Sequence, residues 1–232
     1  MQQQRLPAKS REVKRTQRTV QRPGGLCGST TADGINAVLS LISAAVFVPA
    51  SVGFLPEFAE YYTVSCWIYM AGSAWFLWAS SYDAWKMWAD TSRKMLKIST
   101  WCMVLGSALF VLGTYLILPS MSARNHTRGA YMFVAGSGFF MLGPFLKLVD
   151  VKRYIASNAY DAKLFVAMET LCFGGGILFT TGSVLFLPSE HREHLLPASA
   201  WTFIFGSMAF AGGFALNLVS VARYLNTETK VE

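Results

Sequence analysis

Six long apolar runs, separated by short polar segments, constrain the fold of this chain more than any other feature of its sequence. Each run approaches or exceeds the roughly 18 residues that mark a helix able to cross a bilayer. The runs also lack the polar stripes that a soluble amphipathic helix carries. We therefore predict an all-α, polytopic membrane protein with six transmembrane helices, which are marked by the apolar runs Ile35–Pro56, Tyr61–Tyr82, Ile98–Ala123, Gly129–Leu146, Thr170–Ser189 and Leu195–Ala222.

Composition agrees with this class. Of the 232 residues, 53% are hydrophobic, 14% are aromatic and only 14% are charged, which is too apolar for a soluble domain of this length. The 20 Lys and Arg residues lie mainly in the N-terminal tail, after the even-numbered runs and near the C-terminus, and only Arg124, Arg128 and Arg192 follow odd-numbered runs. Because cytoplasmic segments carry the excess of Lys and Arg, both termini are predicted to be cytoplasmic.

The N-terminal tail is strongly basic. Residues 1–23 carry seven positive side chains and one negative side chain, Glu12. We interpret the tail as a disordered cytoplasmic segment. Binding to anionic lipids is a more specific alternative, and an organelle transit peptide is a third interpretation. It has no aromatic residues for base stacking, so no nucleic-acid partner is predicted. A plasma membrane or an endomembrane is favoured over a mitochondrial membrane.

A second pattern recurs inside every apolar run: a small residue, Phe four residues later, and another small residue three further on. These three positions fall on one face of an α-helix. Helices in lipid associate through close backbone approach at small residues and through van der Waals fit, so we predict that each Phe packs into a notch on a neighbouring helix. The predicted packing stripe consists of Ser43, Phe47, Ala50, Gly72, Phe76, Ala79, Gly106, Phe110, Gly113, Gly136, Phe140, Gly143, Gly175, Phe179, Gly182, Gly206, Phe210 and Gly213.

The pattern also recurs at long range. Pro56, Pro119 and Pro188 are separated by 63 and 69 residues, which indicates a three-fold tandem repeat of a helical hairpin. The predicted organisation is a basic tail at residues 1–34, hairpins at 35–90, 91–157 and 158–226, and a short C-terminal tail at 227–232.

The middle hairpin, "WCMVLGSALFVLGTYLILPSM" followed by "YMFVAGSGFFMLGPFLKLVDVKRY", resembles the YrhK-like membrane domain, a two-helix unit built around a Gly-Ser-x-x-x-Phe phrase in each helix. The third hairpin is also similar, and the first, which Pro49 interrupts, is similar only loosely. The resemblance implies a membrane hairpin, and it implies no catalytic residue, substrate or cofactor.

Glu169 is the main polar candidate at membrane depth. We expect it about six residues into the fifth helix, roughly 9 Å from the helix start. An intramembrane carboxylate suggests proton or cation coupling. The alternative, which we favour, is a structural carboxylate that reaches the headgroups or pairs with Lys163 or Lys147.

Further polar residues recur at the ends of the even-numbered runs. Asp83, Lys147 and Asn217 each follow the stripe glycine of their helix by eleven residues, and Lys86 and Asp150 come three residues later. Around a pseudo-three-fold axis these residues would form a cytoplasmic ring with ion pairs from Asp83 to Lys147 and from Lys86 to Asp150. The ring would act as a latch or a gate. Uncoupled helix-end charges are the alternative.

Catalytic and metal-binding patterns are lacking. The four cysteines form no CxxC motif or Cys/His cluster, and no His lies within an apolar run, so we predict no enzyme, no metal site and no cofactor. Cys27 is a potential palmitoylation site, although a small interfacial residue is the simpler interpretation. Asn125 lies in the only Asn-x-Ser/Thr sequon and is a potential glycosylation site.

Two function classes follow from these patterns. The first, which we favour, is a non-catalytic integral membrane protein that packs in the lipid bilayer into a homo- or hetero-oligomeric assembly. The alternative is a small-solute or ion transporter or channel through the three-hairpin bundle. Transporters usually carry polar residues or broken helices at the midplane, and no polar cluster accompanies Pro49 or Pro144 there.

Overall fold

The computed structural model describes residues 30–88, 93–151, 159–188 and 192–228, and within these ranges the chain is helical with no strand. A 3-10 helix, Pro56–Tyr61, leads directly into the second α-helix. The six α-helices are α1 (Thr30–Val52), α2 (Tyr62–Met87), α3 (Lys94–Leu116), α4 (Ala123–Val149), α5 (Ala159–Leu185) and α6 (Arg192–Glu228).

Several helices extend beyond the apolar runs that predict them. Helix α1 begins at Thr30, so residues 30–34 are helical and do not belong to the tail, and α6 continues to Glu228, past the predicted start of the C-terminal tail. Helix α5 begins at Ala159, well before its apolar run starts at Thr170 and also before the start that is implied by placing Glu169 about six residues into the helix. An apolar run marks only the part of a helix that suits hydrocarbon, and polar residues can continue the same helix into the interface. Residues 1–29, including Cys27 and the basic tail, lie outside the described residues.

Prolines do not break these helices. Pro49 lies inside α1, Pro144 inside α4 and Pro197 inside α6, and each helix continues on both sides of its proline. Neighbouring helices and hydroxyl side chains compensate a backbone that lacks one N–H group, which makes proline tolerable in membrane helices.

The six helices form a closed ring. Each helix packs against the helices before and after it in sequence, and α1 packs against α6. Neighbours run antiparallel, as the contacts between α3 and α4 illustrate: Gly113 meets Gly129 near one end of the pair, and the Ser99 hydroxyl donates to the Gly143 carbonyl near the other. The ring therefore has one axis, toward which a face of every helix can point.

The outer surface of the ring is apolar as well. Large hydrophobic side chains on it include Trp67, Trp78, Tyr131 and Phe205, each at least half exposed. A monomeric soluble protein rarely exposes so extensive an apolar surface. Five helices, all except α2, are long and apolar enough to cross a membrane. Helix α2 is long enough at 26 residues, but its Ser, Tyr and Trp residues, with Asp83 and Lys86, make it less apolar than the sequence analysis assumed.

Candidate functional site

Small residues form a seam between the two helices of each sequential pair. In α3 and α4, Gly106 faces Gly136 so closely that a methyl group on Gly106 would lie 2.9 Å from the Gly136 carbonyl oxygen. Seven residues away along both helices, a methyl group on Gly113 would lie 3.1 Å from the Gly129 carbonyl oxygen. Positions seven residues apart occupy one helix face, so the backbones stay close along the whole pair.

The α5–α6 pair has the same seam, and the α1–α2 pair has a variant of it. A methyl group on Gly175 would lie 3.0 Å from the Gly206 carbonyl oxygen. In the first pair, Ser43 takes the corresponding place on α1 and donates a hydrogen bond to the Gly72 carbonyl. A buried hydroxyl that donates across the seam keeps the approach close without a glycine on that side.

The stripe phenylalanines pack beside these seams and point to the ring axis. Phe140 lies against Gly106, and Phe110 lies against Gly136. Every residue of the predicted packing stripe is buried. The six Phe side chains meet one another at the axis, with ring centroids 5.1 Å apart for Phe110 and Phe140, 5.7 Å for Phe110 and Phe179, and 5.9 Å for Phe140 and Phe210.

Further aromatic residues continue this packing toward the Pro56 end of the ring. Phe133 and Phe203 occupy positions seven residues before the stripe phenylalanines of α4 and α6, and Tyr69 has the same place in α2. Phe133 lies 5.1 Å from Phe110, and Phe203 lies 5.5 Å from Phe179, between ring centroids. We call this set, with the six stripe phenylalanines, the aromatic plug: Phe47, Tyr69, Phe76, Phe110, Phe133, Phe140, Phe179, Phe203 and Phe210.

The aromatic plug leaves almost no space on the axis. The cavity there has a volume of about 20 Å³ and is lined by Ala44 and by phenylalanine rings, with no polar lining atom. A water molecule needs two to four polar partners to occupy a buried site. The cavity is therefore dry, and no continuous polar path runs along this part of the axis.

Buried hydroxyl groups near the plug mostly bond to their own helices. Ser107 donates to the Met103 carbonyl, Ser207 to the Phe203 carbonyl and Thr114 to the Phe110 carbonyl. The Ser43 hydroxyl donates across the seam instead, and the buried hydroxyls of Tyr69 and Ser73 form no hydrogen bond of ordinary geometry, although that of Tyr69 lies near Ser51 and Ser207. The bonded hydroxyls satisfy helix backbone groups and do not line a pathway.

Charged and amide side chains gather at the opposite end of the ring. We call Asn36, Asp83, Lys147 and Glu169 the inner polar cluster. The Lys147 Nζ donates to Glu169 Oε1 at 2.8 Å, and Asn36 Nδ2 donates to Asp83 Oδ1 at 2.9 Å. Glu169 is 1% exposed, whereas the Lys147 side chain is 22% exposed. The cluster is thus paired internally and reachable from outside at Lys147.

The predicted ion pairs of the cytoplasmic ring are wrong. Lys147 pairs with Glu169 of the adjacent helix, and Lys86 pairs with Asp33 of α1. Asp83 and Lys147 are within electrostatic reach of each other, but they form no direct ion pair. Packing around the ring brings sequential helices together, so each of these side chains finds a partner on a neighbour before it can reach across the axis.

The remaining ring residues occupy the same end of the bundle. Asp150 follows the last residue of α4, where its backbone N–H donates to the Leu146 carbonyl, and Asn217 is half-buried on α6. Glu169 lies ten residues into α5, or about 15 Å from the helix start at 1.5 Å per residue, which is farther along the helix than the predicted 9 Å. Of its two predicted partners, Lys147 is the one it contacts, and Lys163 is exposed.

Sequence reasoning missed Asn36, Asp33 and Tyr69. Asn36 is a lone amide inside an apolar run. Because buried polar groups are hydrogen-bonded, such an amide indicates a second polar residue on a neighbouring helix. Tyr69 occupies a position that holds phenylalanine in α4 and α6, and it differs from them by its hydroxyl group. Asp33 precedes the first apolar run, so hydropathy alone places it in the tail, whereas it lies in the first turn of α1.

The modification sites divide between described and undescribed residues. Asn125 lies in the first turn of α4, half-buried, with its side chain 3.9 Å from the Met121 sulfur. Cys27 lies outside the described residues. Within the described ranges, no group of three or more His, Cys, Asp or Glu residues could hold a metal ion, and Cys66, Cys102 and Cys172 are free thiols.

Comparison of the chain with protein-family models finds no match, and neither do comparisons with curated proteins and with solved structures. The resemblance to the YrhK-like membrane domain therefore stays a prediction that rests on the hairpin sequences alone.

Proposed function

We propose that this chain is a non-catalytic, multi-pass integral membrane protein that acts as a packing member of a homo- or hetero-oligomeric membrane assembly. Five helices of spanning length and the apolar outer surface support the membrane setting. The proposal includes a sixth span at α2, three tandem hairpins as in the YrhK-like domain, and cytoplasmic termini. The three seams between α1–α2, α3–α4 and α5–α6 support the hairpin repeat.

The observation that carries the structural role is the aromatic plug. Six phenylalanines from six helices close the axis, and the residual cavity of about 20 Å³ has no polar lining. A conduit needs polar groups or broken helices at membrane depth. A closed, dry axis supports a protein that functions through its outer surface, which contacts lipid and other membrane proteins.

Two measurements on one preparation test this proposal. The protein is purified in detergent, its mass is measured by native mass spectrometry, and it is also reconstituted in liposomes for ion and proton flux. We expect an oligomer or a stable complex, and flux no greater than in protein-free liposomes. A monomer at all concentrations, with no co-purifying partner, would contradict the packing role.

A transporter or channel is the second candidate function, and the inner polar cluster favours it. Glu169 of α5 and Lys147 of α4 form an ion pair, and Asp83 is close enough to interact electrostatically with Lys147. Ionisable residues inside membrane helices often mark ion or proton pathways. Glu169→Gln should then abolish flux in liposomes, while Glu57→Gln, on the exposed 3-10 helix, should leave it unchanged.

A further inference from the structure

A groove on the outer surface of the ring lies between α2 and α3, at the end that carries the inner polar cluster. Its volume is about 210 Å³, and it is lined by Ser81, Ala84, Trp85, Trp88, Trp101 and Val104. Trp88 and Trp101 meet edge to face across it, with ring centroids 6.3 Å apart. We call this feature the tryptophan groove.

The tryptophan groove is open to the surroundings of the bundle. Trp85 is 72% exposed, Trp88 is 68% exposed and Trp101 is 39% exposed. Tryptophan rings of this kind sit at the level of lipid headgroups, because the ring is apolar and its N–H group can hydrogen-bond at the interface. The groove therefore lies at the level of the bilayer where the lipid headgroups join their acyl chains.

One lysine lies at the mouth of the groove, and a second lysine lies one turn from it on the same helix. Lys97 is one turn before Trp101 on α3, and its Nζ donates to the Trp88 carbonyl oxygen at 2.8 Å. An ammonium group has three hydrogens, so Lys97 can also donate to a further acceptor. Lys94 is exposed, one turn earlier on α3. An apolar groove with positive charge at its mouth complements an apolar chain that ends in a negative group.

We propose that the tryptophan groove binds one anionic phospholipid. An acyl chain lies between Trp85, Trp88 and Trp101, and the phosphodiester accepts hydrogen bonds from Lys97 and Lys94. Two lysines close to one phosphate favour an anionic headgroup, whereas the zwitterionic choline headgroup adds a positive charge beside them. This inference uses the membrane setting of the proposed function, but it does not depend on the structural role.

Native mass spectrometry of the full chain in detergent tests the proposal. Phosphatidylglycerol and phosphatidylcholine with identical acyl chains are added separately, and the bound fraction is measured for each. We expect one retained phosphatidylglycerol per chain and a preference over phosphatidylcholine of about tenfold or more, since two lysines act on one charge. Equal retention of both lipids by the wild-type chain would overturn the proposal.

Variants separate the two halves of the site. Lys94→Gln with Lys97→Gln should lower the preference for phosphatidylglycerol relative to the wild-type chain, and Trp88→Leu with Trp101→Leu should reduce retention of both lipids. Matched controls at the other end of the ring are Arg128→Gln and Trp201→Leu, which should retain the wild-type preference. The basic tail is identical in every variant, so its own attraction for anionic lipid cancels.

The outcomes also distinguish this proposal from the proposed function. If the controls lose the preference as strongly as the lysine variants, bulk surface charge explains the binding and the groove proposal is wrong. That result leaves the membrane assembly untouched. A chain that purifies without detergent would instead overturn the membrane setting. Circular dichroism of each variant verifies that the helices are retained.

Discussion

The Phe140 ring lies where a side chain on Gly106 would have to be: a methyl group on Gly106 would come within 2.8 Å of the ring. The reciprocal contact places the Phe110 ring 2.7 Å from a methyl group on Gly136. At this level of the pair, a phenylalanine of each helix thus packs against a glycine of the other helix. The seam can stay close only while both glycines are kept.

Replacing Gly136 by Leu should destabilise the bundle by about 1–3 kcal/mol or more, because the added atoms meet the Phe110 ring and the Gly106 carbonyl. The matched control is Gly138→Leu, two residues along the same helix, where an added Cβ has no heavy atom within 4 Å. Thermal unfolding in detergent, followed by size-exclusion chromatography, measures both. Equal melting temperatures for the two variants would contradict the seam.

Truncating the aromatic plug should cost less when volume is nearly kept. Phe140→Leu should lower the free energy of unfolding by about 1 kcal/mol, whereas Phe140→Ala should lower it by about 3 kcal/mol through the cavity left at the axis. Phe205 is 53% exposed, so Phe205→Ala is the control and should change stability little. Chemical denaturation in detergent micelles ranks the three variants.

Tyr69→Phe should stabilise the protein. The Tyr69 hydroxyl is buried without a hydrogen bond of ordinary geometry, and a buried unsatisfied polar group costs about 1–3 kcal/mol. Phenylalanine removes the hydroxyl and matches Phe133 and Phe203 at the equivalent positions. Tyr131→Phe, at a site 60% exposed, should have no effect on the melting temperature. A lower melting temperature for Tyr69→Phe would show that the hydroxyl makes a bond that matters.

We expect a double-mutant cycle to measure a coupling energy between Lys147 and Glu169. Glu169→Gln and Lys147→Met should each be destabilising, and the double variant should cost less than their sum by about 1 kcal/mol or more. Lys163→Met provides the control cycle, because Lys163 is exposed and Glu169 contacts Lys147. Additive effects in the first cycle would mean that the pair contributes nothing beyond its separate residues.

The orientation of the chain is tested by protease protection. Epitope tags at both termini of the full chain should resist protease added outside intact cells, because Lys and Arg are concentrated on the side of the termini. Permeabilised cells supply the control, in which both tags should be digested. Digestion of both tags in intact cells would reverse the assignment.

The helices could be predicted from sequence because apolar runs of spanning length have few alternatives in a bilayer. The predicted runs fall on all six helices, and their errors lie at the ends, where Asp33 extends α1 and Asp161 and Lys163 extend α5. Hydropathy cannot mark these ends, since a helix that leaves the hydrocarbon tolerates polar side chains.

The partners of the charged residues could not be predicted from spacing alone. Matching heights suggest Asp83 with Lys147, but the structure joins Lys147 to Glu169 and Asp83 to Asn36. Side-chain pairing depends on which helices are adjacent, and the ring order places α5 beside α4 and α1 beside α2. The small-x3-Phe-x2-small spacing identified positions that are all buried, because it describes one helix face and needs no knowledge of the neighbour.

The aromatic plug also has an electrical consequence. In a membrane, an applied voltage falls mainly across the regions that exclude water and ions. Lys147 is 22% exposed and lies seven residues, or about 10 Å along α4, beyond Phe140 and outside the plug. Most of the field would then act on uncharged phenylalanine rings. A full charge that crosses 100 mV gains about 2.3 kcal/mol, so charges beyond the plug feel only a small part of that energy and the bundle should be insensitive to membrane potential.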